Sequence, residues 1–127
     1  MAKNKILIVD DEKDILLMLG KRLIAAGYSV LTADNGRDAI TIAKSKSPDL
    51  IILDVLMPGM DGSEVAEKLK DDSRTQNIPV IFLTALLTKK EEHKKNHIVA
   101  DNKTFAKPFD PEELLDEIKM LVETVAI

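Results

Sequence analysis

The chain of 127 residues contains no cysteine. It can therefore form neither a disulfide framework nor a thiolate nucleophile, and thiolate ligands for a metal ion are excluded. Long hydrophobic runs are also lacking, because the first apolar stretch, residues 6–9, is followed directly by two aspartates. Such a stretch is too short for the core of a signal peptide or for a membrane span. We therefore expect a cytoplasmic protein with no membrane insertion.

An excess of basic charge is absent as well. The chain has 18 basic and 22 acidic residues and a formal net charge of -4. Domains that bind nucleic acid usually carry a basic surface, so we expect no direct nucleic-acid contact. A content of 45% hydrophobic and 31% charged residues is typical of a globular protein. The length fits one domain, which we predict over residues 4–125.

Five short apolar segments, the second and fifth weaker than the others, predict strands that are buried on both faces. These segments are residues 5–9, 29–33, 50–53, 80–83 and 104–106. Because such strands alternate with helical patterns, the sequence predicts an α/β fold with a parallel sheet covered by helices on both faces.

Helical spacing of apolar residues is found between the predicted strands. It covers residues 12–26, 37–46 and 62–70, and a last helix begins near Asp110, with Pro111 as its first residue. Residues 88–97 contain no apolar side chain, which indicates an exposed helix face or a loop. A partner-binding surface is the alternative interpretation of that segment.

Polar side chains follow four of the five predicted strands. Asp10 and Asp11 follow the first, Asp54 the third, Thr84 the fourth and Lys107 the fifth. The carboxyl ends of parallel strands meet at one edge of a sheet, where ligands of such folds bind. The sequence therefore predicts that these groups share one site.

Clustered carboxylates repel one another, and a hard divalent cation with oxygen ligands relieves that repulsion. Asp10 and Asp11 are the candidate Mg²⁺ ligands, while Asp54 stands alone after its strand and is the candidate nucleophile toward phosphorus. The Lys107 ammonium can neutralise phosphoryl oxygens, and the Thr84 hydroxyl can donate a hydrogen bond to them.

Each residue also has a simple structural explanation. Asp10 or Asp11 could cap the first helix, Asp54 could form a turn, Thr84 could be an ordinary strand end and Lys107 a surface charge. Every one of these explanations is credible for a single residue. Their joint placement after successive strands favours the shared site.

Four motifs carry a resemblance to a known family. They are IVDDE (8–12), LDVLMPGMDG (53–62), LTA (83–85) and KPF (107–109). In this order they resemble the signature of bacterial two-component response-regulator receiver domains, the chemotaxis-regulator-like superfamily, over nearly the whole chain. The resemblance implies a single-domain flavodoxin-like (βα)5 sandwich whose five-stranded parallel sheet has the order 2-1-3-4-5, with helices on both faces. That strand order comes with the resemblance and does not follow from the sequence pattern.

The resemblance also implies roles for the candidate residues. Asp54 would accept a phosphoryl group from a sensor histidine kinase or a histidine phosphotransfer protein. Mg²⁺ would be held by Asp10, Asp11, Asp54 and the backbone carbonyl of Leu56. Thr84 and Lys107 would bind the phosphoryl oxygens, and the Lys107–Pro108 peptide bond would be cis.

Such a chain would be a phosphoacceptor signalling domain that promotes its own phosphorylation and dephosphorylation, and it would not be an enzyme. Its output would pass through the face of the fourth helix, fifth strand and fifth helix to an unknown downstream protein. Both a stand-alone regulator and a receiver belonging to a longer regulator or hybrid kinase are compatible with the sequence.

Two departures from the family pattern concern the output face. Family members usually carry an aromatic switch residue three positions before the lysine, where this chain has Thr104, with Phe105 one residue later. Either an extra residue near positions 100–103 lets Phe105 take this role, or the domain signals without an aromatic rotation. The usual Gly-Ala-Asp turn is also replaced, by Val-Ala-Asp-Asn at residues 99–102.

Two other functions remain to be separated from this one. A haloacid-dehalogenase-type phosphatase needs a second acid two residues after its nucleophile, and here that residue is Leu56. A phosphorylation-independent adaptor of the same fold would not need the full set of polar strand-end residues. We further predict that Leu56 and Leu86, two residues after Asp54 and Thr84, hinder an attacking water and prolong the life of an acyl phosphate.

Overall fold

A computed structural model describes residues 4–84 and 103–123 of the chain. In chain order the elements are β1 (Lys5–Val9), α1 (Lys13–Ala25), β2 (Ser29–Ala33), α2 (Gly36–Lys46), β3 (Leu50–Asp54), α3 (Gly62–Lys70), β4 (Val80–Thr84), β5 (Lys103–Ala106) and α4 (Pro111–Glu123). The predicted helical or loop segment 88–97, the fourth helix of the expected (βα)5 fold and the predicted domain end at residue 125 lie outside the described residues.

The five strands form one parallel sheet in the order β2-β1-β3-β4-β5. The predicted order 2-1-3-4-5 is thereby confirmed. β3 and β4 are buried along their whole length, as is β1 after Lys5. Helices on both faces exclude water from these strands, so their sequences are continuous apolar runs without the alternation of a half-exposed sheet.

Alternate strand residues pack into two hydrophobic layers. One layer joins Leu7, Leu53 and Phe82 to apolar side chains of α2 and α3. The other joins Ile8 and Leu83, among others, to apolar side chains of α1 and α4. The sheet is therefore held rigidly from both sides, and its strand ends are fixed relative to one another.

Helix boundaries follow from local capping. The Asp61 carboxylate accepts a hydrogen bond from the Glu64 N–H at 3.0 Å at the start of α3. Asp110 accepts one from the Glu112 N–H at 2.9 Å just before α4. α1 ends before Gly27, whose φ of 98° lies in the left-handed region that glycine adopts most easily. Within the described ranges, none of the helices is long and apolar enough to cross a bilayer.

Candidate functional site

Backbone hydrogen bonds extend the sheet ladder past the carboxyl ends of the strands and position the residues that follow. The Asp10 N–H donates to the Ala33 carbonyl at 3.1 Å, and the Val55 N–H donates to the Leu83 carbonyl at 2.9 Å. The Lys107 N–H donates to the Thr84 carbonyl at 2.8 Å. The polar side chains at this edge are therefore placed by backbone hydrogen bonds that continue the sheet.

Asp10, Asp11 and Asp54 form an acidic cluster at this edge. Each offers a carboxylate oxygen, and these oxygens lie within 4.8 Å of one another. Asp10 is 0% exposed and Asp54 is 3% exposed, whereas Asp11 is open to solvent. The cluster thus has a buried floor and an open rim from which an ion can enter.

One cation lies at this cluster and compensates part of its negative charge. Lys107 Nζ lies 2.7 Å from Asp10 Oδ2 and 3.6 Å from Asp54 Oδ2. The exposed side chain of Glu12 is a third partner, with its Oε1 at 3.7 Å. The Lys107 side chain is only 9% exposed, so its charge acts in a poorly hydrated environment. The sequence predicts that Lys107 binds phosphoryl oxygens. In this structure its shortest contact is with Asp10.

The electrostatics of Asp54 reflect first its burial and then the charge of a neighbouring carboxylate. Burial, and after it the charge of Asp10, raises the pKa of Asp54 to about 7, although the Lys107 charge and the Leu56 N–H act in the opposite direction. For Lys107, burial lowers the pKa, but the hydrogen bond with Asp10 and the nearby acidic charges outweigh burial and raise it. The site therefore has too few positive charges for its carboxylates.

The donor set fits Mg²⁺. All three cluster members supply carboxylate oxygens, which are the ligands that a hard divalent cation prefers. A divalent cation would also supply the positive charge that the cluster lacks. Leu56, the predicted backbone ligand, follows Asp54 in the loop, and its N–H donates to Asp54 Oδ1 at 3.3 Å. The ligand role of its carbonyl stays a prediction.

Two residues near the site have roles that sequence reasoning missed. A Cβ on Gly62 would collide with the backbone carbonyl of Asp54 and lie 2.9 Å from the Cα of Val55. Its own N–H donates to the Val55 carbonyl at 2.8 Å. Glycine is therefore required for the first turn of α3 to pack over the β3 end, and the only sequence signal was its position after the Asp61 cap. The ion pair of Glu12 with Lys107 had no signal beyond its place after the two aspartates.

Thr104 and Phe105, the two candidates for the aromatic switch position, both lie in β5. Thr104 pairs in register with Phe82, and Phe105 pairs with Leu83. Phe105 packs against the hydrophobic layer of α1 and α4. Thr104 therefore projects from the opposite face, the one it shares with Phe82 and Thr84. Among the buried side-chain nitrogen and oxygen atoms of the described residues, the Thr104 hydroxyl is the one without a hydrogen-bond partner.

Thr84 is the last residue of β4 and is 2% exposed. It pairs in register with Ala106, directly before the lysine. The Lys107–Pro108 bond is cis, which confirms that prediction. Leu86, the second residue predicted to hinder water, lies outside the described residues. Asp10, Asp11, Asp54, Thr84 and Lys107 are thus all placed at the carboxyl edge of the sheet, as their position after the strands predicts.

Fold and site together define a parallel α/β protein with an acidic cluster at the carboxyl edge of its sheet. The family described as response regulator receiver domain matches residues 6–119, and the chain belongs to this family. The resemblance seen in the four motifs is therefore confirmed.

The chain is also similar in sequence to transcriptional regulators. The chain is 38% identical over 125 residues to a probable transcriptional regulator, ycf27, of Porphyridium aerugineum, covering 98% of this chain and 50% of that protein. It is 39% identical over 122 residues to the phosphate regulon transcriptional regulatory protein PhoB of Pseudomonas aeruginosa, covering 96% and 53%. The chain thus spans about half the length of these curated relatives.

Among solved structures, the chain is similar to the chemotaxis protein CheY4 of Vibrio cholerae. The TM-score is 0.83 at 34% sequence identity, and the match covers 94% of this chain and 99% of that one. The likeness extends over the full receiver fold, so the chain is a receiver domain of the two-component response-regulator family.

Proposed function

We propose that this receiver domain is a phosphorylation-dependent signalling switch that accepts a phosphoryl group on Asp54 in the presence of Mg²⁺. The observation that carries the proposal is the placement of a buried Asp54 carboxylate between two further acidic groups and a single ammonium. In a cluster that only stabilises the fold, we expect each carboxylate to be paired with a cation. This one leaves negative charge uncompensated, as a site that recruits a divalent cation does.

The phosphoryl donor is a phosphohistidine of a sensor histidine kinase or a histidine phosphotransfer protein. An oxygen of Asp54 attacks phosphorus, the phosphorus–nitrogen bond breaks, and a phosphorus–oxygen bond forms to give an acyl phosphate. The released imidazole nitrogen takes up a proton. Bound Mg²⁺ supplies charge neutralisation where the carboxylates and the phosphoryl oxygens meet.

The protein's own groups orient this transfer. The Leu56 N–H donates to Asp54 Oδ1 and holds the plane of the carboxylate. The Lys107 ammonium, 3.6 Å from Asp54 Oδ2, is in reach of phosphoryl oxygens bound to Asp54. The Thr84 hydroxyl donates to the same oxygens in this proposal, since Thr84 ends the neighbouring strand.

The output reaches a downstream protein through the face formed by the segment after β4, by β5 and by α4. We expect no direct nucleic-acid contact from the domain itself because its net charge is -4. We also propose that it acts in the cytoplasm, and that it promotes only its own phosphorylation and dephosphorylation without turning over a separate substrate.

Acetyl phosphate tests the proposal without knowledge of the kinase. Incubation with acetyl phosphate and Mg²⁺ should add the mass of one phosphoryl group to the intact protein, and chelation of Mg²⁺ should prevent this. The Asp54→Asn variant should show no gain, whereas Asp116→Asn, which removes an exposed carboxylate on α4, should behave like the parent chain. A gain in Asp54→Asn equal to that of the parent would exclude Asp54 as the acceptor.

The lifetime of the acyl phosphate is a separate prediction. Leu56 is 46% exposed beside the site, where an apolar side chain offers no hydrogen bond to an attacking water. Substitution of Leu56 and Leu86 by asparagine should shorten the lifetime, measured as loss of radioactive phosphate from the isolated domain. An unchanged rate of loss in the double variant would refute this idea.

A further inference from the structure

β2 is an edge strand of the sheet, and one side of its backbone is open. The Ser29 N–H donates to the Asn4 carbonyl at 2.9 Å, and the Ala33 carbonyl accepts an N–H from the residue after β1 at 3.1 Å. Because backbone groups alternate in direction along a strand, those of Val30 and Thr32 are directed away from β1. In the described part of the chain β2 pairs with β1 alone, so these outward N–H and C=O groups have no strand partner.

The sequence of β2 lacks the features that usually keep an exposed strand from pairing. The strand reads SVLTA and contains neither a charged residue nor a proline. Edge strands that face only water commonly carry one or the other. The composition of β2 is therefore that of a strand that can accept a further neighbour.

A groove of about 580 Å³ lies along the carboxyl half of this edge. Its apolar walls come from both faces of the sheet, with Leu16 and Leu17 of α1 on one side and Ile42 of α2 on the other. Leu17 is 61% exposed, which is unusual for a large apolar side chain. An extended chain beside β2 directs successive side chains to opposite faces, so its apolar residues reach both walls.

The carboxyl end of the groove is acidic. Asp34 and Asp38 line it and are both exposed. One amide nitrogen, Asn35 Nδ2, donates to both carboxylates, at 2.8 and 2.9 Å, and holds them close together. Lys13 is the one cation among the lining residues, and within the described ranges it forms no ion pair with either carboxylate. A basic side chain complements this end of the groove.

We propose that β2 and this groove are a docking site for an extended segment of a partner protein, with apolar residues for both walls and a lysine or arginine for Asp34 and Asp38. The segment adds a strand to the sheet through the outward backbone groups of Val30 and Thr32. A helix cannot do this, because its own backbone groups are bonded internally. An antiparallel segment forms the more stable pairing and has its amino end at the two aspartates. The site goes beyond the proposed function, since none of the phosphoryl-transfer residues takes part.

Titration of the ¹⁵N-labelled full chain with a synthetic peptide, followed by NMR, tests the proposal. The probe is acetyl-Lys-Ile-Thr-Ile-Thr-Val-amide, whose lysine is at the amino end. We expect saturable shifts of the amide signals of residues 29–34, and exchange of the Val30 and Thr32 N–H groups with solvent should slow by about tenfold. The same peptide with every backbone amide N-methylated keeps its side chains but cannot pair as a strand. It should produce neither effect.

Variants of the chain separate the backbone from the charge. Thr32→Pro removes an outward donor without removing a bond of the sheet, because proline is tolerated in edge strands, and it should abolish binding of the peptide. Asp38→Asn should weaken binding by about threefold, as expected for an exposed ion pair. Asp116→Asn removes an exposed carboxylate on α4, away from the groove, and should leave the Kd unchanged.

Each outcome supports or overturns the proposal. Saturable shifts that the methylated peptide does not reproduce support it, and this comparison decides if circular dichroism shows that Thr32→Pro is unfolded. Equal binding of both peptides, or no shift at millimolar peptide, overturns it. A concentration-dependent dimer of the chain that Thr32→Pro disperses also overturns it, because a second copy would then occupy the edge. Phosphorylation by acetyl phosphate is independent of all these results.

Discussion

Two ion-pair clusters of this molecule use the same side-chain chemistry in opposite proportions. In the site cluster (Asp10, Asp11, Asp54, Lys107) one ammonium faces three carboxylates. In the loop cluster, one carboxylate, Asp72, faces two cations: Arg74 at 2.9 Å and Lys44 at 3.5 Å. The site cluster is therefore short of positive charge, whereas the loop cluster has more than it needs.

The pKa shifts of the two aspartates also have opposite signs. Burial and the charge of Asp10 raise the pKa of Asp54 to about 7. Hydrogen bonds from the side chain and the backbone of Arg74 hold the pKa of Asp72 well below its ordinary range. The loop cluster joins α2 to the chain after α3 and is complete as it stands. The site cluster has one ammonium for three carboxylates, and the proposed binding of Mg²⁺ would supply the missing positive charge.

Removing one cation from each cluster should produce the largest difference in stability between the two clusters. Lys107→Met leaves Asp10 buried without its partner and should lower the metal-free free energy of unfolding by about 3 kcal/mol. Saturating Mg²⁺ should restore most of that loss. Lys44→Met removes a half-exposed ion pair and should cause no measurable change. Urea unfolding with and without Mg²⁺ measures both, and equal losses in the two variants would contradict the comparison.

Replacing the central aspartate of each cluster by asparagine should change the free energy of unfolding in opposite directions. Because the folded pKa of Asp54 is raised, its stabilising contribution is complete below about pH 4 and is lost as pH rises through 7. Asp54→Asn should therefore stabilise the metal-free protein by about 2 kcal/mol at pH 8, and this gain should disappear near pH 4.

Asp72→Asn should behave in the opposite way. The folded pKa of Asp72 is lowered, so the stability it contributes is present above its ordinary pKa and is lost as the solution becomes more acidic. The variant should be less stable than the parent at neutral pH and should approach it in acid. Thermal unfolding across pH 3–8 follows both aspartates, and parallel pH profiles of the two variants would refute the assignment of opposite signs.

The smallest expected difference in the free energy of unfolding concerns two threonines. The Thr104 hydroxyl is buried without a partner in the described residues, whereas Thr75 Oγ1, beside the loop cluster, donates to the Leu69 carbonyl at 2.5 Å. Thr104→Val should raise the free energy of unfolding by about 1 kcal/mol, and Thr75→Val should lower it by about the same amount. Chemical denaturation measures the change in the free energy of unfolding of each variant and hence its sign. A loss in Thr104→Val would mean that this hydroxyl stabilises the fold.

Apolar runs predicted the position of all five strands. β1 and β2 have the predicted bounds, and the bounds of the other three strands differ from the prediction by one residue. β3 and β4 each extend to the polar residue that ends the apolar run, Asp54 and Thr84. α2 begins slightly earlier than predicted, since the Asn35 side chain caps it by accepting the Asp38 N–H. The strand order depends on which strands pair in space, which no local pattern encodes.

The site was predictable to the extent that strand ends converge. Asp10, Asp11 and Asp54 each follow or end a strand, and parallel topology then brings them to one edge. Lys107 Nζ lies 2.7 Å from Asp10 Oδ2 and 3.6 Å from Asp54 Oδ2, and this preference depends on side-chain reach, which spacing along the chain does not contain. The need for Gly62 depends on how closely α3 approaches the β3 backbone, which only coordinates reveal.

The hydrogen bond from the Lys107 N–H to the Thr84 carbonyl joins the last residue of β4 to the residue that follows β5. Because main-chain atoms make this bond, substitution of either side chain leaves its donor and its acceptor in place. Variants at Thr84 and Lys107 therefore change the chemistry of the side chains while the two backbones keep their spacing.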